Sequence, residues 1–247
     1  MVVGDYLEIS LISFFVSFIF GLGGLGSAVA LIPILVFLGV PFHLARSAGL
    51  FTNVLSTLSA TLHNLKKGLV DIKFALPIVV ASMLFSPLGA YFSHFVPERL
   101  VGLAFALFLF FAGVMIYIPK KGGNRESSSP IFPLFVGSLA GFVSGFLGVG
   151  GGALISPLLI VAGFNPKKVA AVTAFAVPFS SFIGFLTYWK MGSVDWKVVL
   201  FAGVPAVISG YLAAYLSHSY LSASLVKKLL GIIFFLFGVK LLLKFLI

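Results

Sequence analysis

Gly145-Phe146-Leu147-Gly148-Val149-Gly150-Gly151-Gly152, followed by Ala153-Leu154-Ile155-Ser156-Pro157, is the passage whose reading decides the fold. So dense a run of glycine cannot help a helix, because each one costs roughly 1 kcal/mol relative to alanine. Yet the passage lies within an apolar segment, Phe132–Gly163. At membrane depth such a run leaves peptide N–H groups without helical partners, which lipid does not tolerate and a protein-lined cavity does. A second cluster, Gly21-Leu22-Gly23-Gly24-Leu25-Gly26, followed by Ser27 and then Pro33, repeats the arrangement. The pattern predicts two helix breaks at a binding site. Close packing of helices through small residues is the competing reading.

The surrounding composition fixes the solvent. Of 247 residues 60% are hydrophobic and 9% charged, and the mean hydropathy is +1.20. A soluble domain carries about 25% charged residues, so this chain cannot cover a water-facing surface. The expected fold is an all-α integral membrane protein, multi-pass, in the cell (plasma) membrane. A transmembrane barrel would need short alternating segments, which the sequence lacks. The net charge of +10 does not imply nucleic acid, because Lys and Arg sit in short connections where topology and anionic lipid account for them. The N-terminal region carries Asp5 and Glu8 and no basic residue, unlike a cleaved signal peptide. With no cysteine there is no disulfide, thiol catalysis or Cys-based metal site, and no cofactor or metal is expected.

Taken in order, Tyr6–Leu38 is too long for one straight span of a core about 30 Å thick. The glycines divide it into about Tyr6–Phe20 and Ser27–Leu38. Spans are expected over His43–Leu65, Phe74–Phe92 and Leu100–Ile118. The Gly-, Ser- and charge-rich stretch 119–130 reads as a flexible linker. The second half repeats the plan with Phe132–Gly163, Val169–Trp189, Val198–Leu216 and Leu225–Leu243. The chain therefore divides into a first repeat, 1–118, the linker, and a second repeat, 131–247, each of about four hydrophobic segments.

A shift of 124 residues aligns the halves. Gly21, Gly24, Gly26 and Pro33 fall on Gly145, Gly148, Gly150 and Pro157; Ser56 falls on Ser180. Lys66, Gly68, Val70, Asp71 and Lys73 fall on Lys190, Gly192, Val194, Asp195 and Lys197. Internal duplication of this size is the build of many secondary transporters, which hold substrate at the repeat interface with discontinuous helices. Two topologies are open. If each long first segment crosses once, the repeats are parallel; if it forms a hairpin, they are inverted. Both put ten Lys and Arg on one side and six on the other, so the positive-inside rule does not choose between them. Both place the central linker in the cytoplasm.

The duplicated glycine run with its proline, seen as GFLGVGGGALISPLL, and the later TYWKMGSVDW and HNLKKGLVDI resemble the sulfite exporter TauE/SafE family, also described as toluenesulfonate uptake permeases. The resemblance covers nearly the whole chain. It implies a permease for sulfur-containing or organic anions such as sulfite or sulfonates. The first repeat departs from the glycine triplet, with Ser27 and Ala28 opposite Gly151 and Gly152, so the halves are not expected to contribute equally.

The residues argue for an anion independently. All six acids fall near segment ends and none at mid-span, where a cation or proton carrier would keep a carboxylate. A negative solute would instead meet peptide N–H groups and the positive end of a helix macrodipole, as at half-helices beginning near Ser27 and Ala153. The expected substrate site comprises Gly23, Gly24, Gly26, Ser27, Gly148, Gly150, Gly151 and Gly152, with Thr52, Asn53 and Ser56 on the second segment and Thr173, Ser180 and Ser181 on its twin. Buried Ser and Thr bonding back to their own helices is the alternative. His63, Asp71, Tyr188 and Asp195 are candidates for gating or for coupling to a proton or ion gradient, with turn formation and solvation as the plain reading. Arg46 either recruits anions or is an interfacial topology charge.

A secondary-active carrier of a small anion is the leading expectation, with an anion channel second. An intramembrane enzyme is a third, but the nucleophile–base pair or HExxH it needs is absent, as is a phosphate-binding loop for direct ATP use. No pattern in the residues assigns an oligomeric state.

Overall fold

The computed structural model describes residues 3–23, 26–117, 129–216 and 223–246, and the linker 119–130 lies mostly outside them. The described residues form helices and turns with no strand: α1 (Val3–Gly23), α2 (Ala28–Phe37), α3 (Phe42–Lys66), α4 (Ile72–Phe95), α5 (Glu98–Tyr117), α6 (Ile131–Leu147), α7 (Gly152–Val161), α8 (Pro166–Lys190), α9 (Trp196–Leu216) and α10 (Ala223–Leu246). Among the described residues α4, α5, α8 and the Trp196–Ala213 part of α9 are long and apolar enough to cross a membrane. Leu84, Leu107, Ile208 and Leu236 leave more than half of their surface uncovered. That outward apolar face fits lipid contact.

Helix starts follow capping chemistry. The Asp71 carboxylate accepts from the Phe74 amide at 3.1 Å to open α4. Asn165 accepts from the Lys167 amide at 2.9 Å, with Pro166 as the first residue of α8. Asp195 accepts from the amides of Lys197 and Val198 at the start of α9. Each carboxylate or amide oxygen satisfies a first-turn N–H that has no partner inside its helix.

The glycine passage does two things. Its first member continues α6: Gly137, Gly141 and Gly145 lie one turn apart, and a Cβ on each would meet the backbone of Ile78, Ser82 and Ser86 on α4. Here small residues let two backbones touch, and the matching order of contacts shows that α4 and α6 run parallel. After Leu147 the helix stops, Gly148 and Gly150 adopt φ of 80° and 74°, and α7 begins at Gly152. In the first half α1 ends at Gly23, Gly26 has φ of 81°, and α2 begins at Ala28.

Helices α2 and α7 start and stop 124 residues apart, as do α3 and α8. The α3–α8 pair is antiparallel, because Arg46 lies by Tyr188, Asn53 by Ser181 and Thr61 by Ala174. By contrast α1 runs parallel to α9, with Ser10 and Ser13 donating to the carbonyls of Phe201 and Ala202. The α5–α10 pair is antiparallel, with Gly102 against Phe245 and Gly113 against Phe235. Three cations neutralise carbonyl ends of helices: Lys244 donates to Val36 O at 2.8 Å, Arg99 to Phe245 O at 2.7 Å, and Arg46 to Phe146 O at 2.9 Å. Each sits where the macrodipole is negative.

Candidate functional site

Two ten-residue helices, α2 and α7, begin beside the middle of the long α3–α8 pair. Ser27, which caps α2 without bonding its amides, places its hydroxyl 3.1 Å from that of Ser56 on α3. On α8, Ser181 accepts from Asn53 Nδ2 at 3.0 Å. Asn53 is fully buried and is gripped at both ends. A Cβ on Gly26 would overlap its Oδ1, and a Cβ on Gly150 would overlap its Nδ2. The two interrupted passages, far apart in sequence, thus converge on one side-chain amide.

Geometry explains why glycine is needed there. The left-handed φ of Gly26 and Gly150 strains any residue with a Cβ, and the contact with Asn53 leaves no volume for one. The first-turn amides of α2 and α7 lack intrahelical partners, and both helices bring their positive ends to Asn53. Asn53 Oδ1 and Thr52 Oγ1 are buried without a hydrogen-bond partner. The arrangement presents amide and hydroxyl donors in a sheltered place, while Asp71, Glu98 and Asp195 lie at helix starts. Chemically it can hold an anion through neutral donors.

Of the sequence-predicted residues, Gly26, Ser27, Asn53, Ser56, Gly150 and Ser181 come together here. Gly151 and Gly152 are the cap and first residue of α7. Gly23 ends α1, and Gly24 lies outside the described residues. Gly148 packs instead against the aliphatic part of Arg46. The Ser180 hydroxyl returns to Val177 O on its own helix, and Thr173 accepts from Ser156 at 3.0 Å, tying α7 to α8. Thr57 and Thr187 also bond back to carbonyls a turn earlier. His63 lies on α3, and its side chain is outside the described part.

Tyr188 belongs to a second constellation. Its buried hydroxyl donates to Gly145 O at 2.9 Å and lies 3.1 Å from Ser93 Oγ, joining α8 to α6 and α4. The Arg46 guanidinium lies 4.9 Å from the Phe42 ring centre and 5.2 Å from that of Tyr188. Arg46 is 4% exposed, and its Nε has no hydrogen-bond partner. Arg46, Ser93 and Tyr188 line an open cavity of about 540 Å³ together with His43, Glu98 and Ser193.

Asp71 and Asp195 serve as helix caps. Asp71 also meets Lys168 Nζ at 2.7 Å, and that hydrogen bond, opposed by burial, holds its carboxyl below the usual value of 3.8. A lowered native pKa stabilises the fold above the unfolded value, and the contribution disappears as pH falls through the native one. Asparagine caps as well as aspartate, so Asp71→Asn removes only a half-exposed ion pair and is expected to cost about 0–1 kcal/mol. Asp71→Ala also removes the cap and costs about 1 kcal/mol more. Thermal unfolding at neutral pH measures both losses, and acidification through the lowered pKa is expected to erase the Asn difference.

Ser93, Thr61 and Ser156 were not evident as contact residues from sequence, because each gains its role from a different helix. A signal for Asn53 and Arg46 does exist: their 124-residue counterparts are Val177 and Ala170, so both polar groups break the symmetry of the halves.

Comparison with known proteins places the chain among membrane transporters. The chain is 26% identical over 223 residues to a probable membrane transporter protein of Methanocaldococcus jannaschii, covering 82% of each chain. It is 26% identical over 247 residues to a probable membrane transporter protein of Bacillus subtilis, covering 88% of this chain and 90% of the relative. A shorter match, 42% over 73 residues, covers 30% of this chain and 16% of sulfite exporter TauE/SafE family protein 2 of Arabidopsis thaliana. No solved structure gives a significant match. The family model described as sulfite exporter TauE/SafE matches residues 9–241, and the chain belongs to that family of membrane transporters.

Proposed function

We propose that this protein is a secondary-active carrier of a small sulfur-containing or organic anion, such as sulfite or a sulfonate, bound where the α2 and α7 N-termini meet at Asn53. The observation that carries this reading is the convergence of Gly26 and Gly150 on the two ends of one buried amide. Sulfite and sulfonates present three acceptor oxygens, which match peptide N–H groups, the Asn53 amide and the hydroxyls of Ser27, Ser56 and Ser181. Neutral donors hold an oxyanion without trapping it as tightly as a cation would.

The halves are read as an inverted duplication, supported by the antiparallel α3–α8 pair and by five helical elements in each half. Under that topology Lys66, Lys67, Lys73, Lys120, Lys121, Arg125, Lys167, Lys168, Lys227 and Lys228 share one face with the linker. The positive-inside rule makes this face cytoplasmic, in the plasma membrane. Asn53 fills the space between the glycines, so solute enters only when the elements around it part. That favours alternating access over an open channel.

The test is flux into proteoliposomes with labelled sulfite, sulfonates and carboxylates, with and without a pH gradient. Saturable flux of at least one sulfur oxyanion is expected. Transport of a cation with no anion moved would overturn the reading, and non-saturating flux would favour a channel.

A further inference from the structure

We propose that the Arg46 cavity is a separate subsite for a small free oxyanion, placed on the face opposite the central linker and preceding the Asn53 site on the transport route. Its place on that route rests on the proposed carrier function; binding at Arg46 does not. The N-terminal turn of α3 and the C-terminal ends of α4 and α8 form the cavity. Lys66, Lys67 and Lys168 lie at the other ends of α3 and α8.

The argument begins with charge. A guanidinium carries a positive charge; that of Arg46 is more than nine-tenths buried, yet no carboxylate among the described residues lies within ion-pair distance of it. A buried cation is stable only when paired or well hydrogen-bonded. Among the described residues, its five donors reach Phe146 O at the end of α6 and the Tyr188 hydroxyl, and Nε makes no hydrogen bond. The faces of Phe42 and Tyr188 supply partial compensation. The Glu98 carboxylate is about half exposed and faces His43 at 4.0 Å rather than Arg46. A guanidinium that lines a 540 Å³ cavity with donors to spare is matched by a planar or pyramidal oxyanion, which can take two N–H bonds at once.

Position then links this place to the first site. Arg46 and Asn53 are seven residues apart on one helix, about 10 Å along its axis. The Arg46 stem packs on Gly148 and Asn53 packs on Gly150, so the same glycine turn separates the two places. The opposite face has no equivalent, because Ala170 stands where the 124-residue shift would put a second Arg46. A lipid phosphate shares the oxyanion chemistry, but the guanidinium is enclosed by α3, α6 and α8 rather than lying on the lipid-facing surface.

The test uses the natural absence of cysteine. A Ser193→Cys variant is labelled with a membrane-impermeant maleimide, in intact cells for sidedness and in phosphatidylcholine nanodiscs for binding. Labelling from outside the cell is expected. In nanodiscs, saturating methanesulfonate or sulfate is expected to slow labelling at least fivefold against choline chloride of equal ionic strength. Adding Arg46→Gln is expected to abolish the protection. Arg46→Lys, which keeps the charge, retains it with weaker affinity and controls for folding alongside monodisperse elution. Equal protection in folded Arg46→Gln, no protection in the parent, labelling only from the cytoplasm, or protection given only by added phosphatidylglycerol would each overturn the proposal. Protection that persists in a protein with no anion flux would retire the carrier reading and leave this subsite standing.

Discussion

Gly150→Ala is expected to reduce anion flux at least a hundredfold while the protein still inserts and elutes as a single species. Two costs coincide at this position. The backbone has φ of 74°, where an L-residue is strained by about 1–2 kcal/mol, and the new methyl overlaps Asn53 Nδ2 while approaching Ser181 Oγ at 3.1 Å. The strain alone is a fraction of what a folded chain tolerates. The overlap displaces the amide on which both interrupted passages converge. Gly39→Ala separates the two effects, because Gly39 has φ of 86° and nothing within 4 Å of its added Cβ. Gly39→Ala is expected to lose a comparable amount of stability and to keep its flux. Paired flux and melting measurements decide the matter: wild-type flux in Gly150→Ala would mean that this glycine serves packing alone.

Asn53→Asp is expected to remove transport to a similar degree with no loss of thermal stability. The substitution is nearly isosteric, but it places a carboxylate where the N-termini of α2 and α7 meet. Negative charge there is favoured by the macrodipoles and by first-turn amides without helical partners. The fixed carboxylate then occupies the place of the solute and repels it at short range in a low-dielectric setting. Proteoliposome flux and the melting temperature are the two readouts. A large drop in melting temperature would show that the surroundings of Asn53 do not favour an anion, and the binding site would then have to lie elsewhere. Retained flux would show that solute does not pass this amide.

How much of this was legible beforehand varies from residue to residue. The caps at Asp71 and Asp195 follow from local rules, since an aspartate just ahead of an apolar helix has only nearby amides to satisfy. Gly145 and Gly150 lie in one run and read alike, yet one packs α6 on α4 and the other turns the chain. Their difference depends on which helix lies alongside. Thr52 leaves its hydroxyl unpaired, while Asn53, one residue on, reaches across to Ser181. A rotation of about 100° per residue around a helix separates them, and only the neighbouring helix says which side is inside.

The sequence by itself determined the helical, membrane-embedded character of the chain, because composition and capping act within a few residues of where they stand. Tertiary structure decided the direction of each element and the partners across helices. Equal counts of ten and six basic residues fit either topology, and only the packing shows that α3 and α8 run antiparallel. That Arg46 meets Tyr188, and that Gly26 and Gly150 share Asn53, depends on long-range packing. Such contacts join positions more than a hundred residues apart, and no local preference encodes which of several similar polar groups will meet.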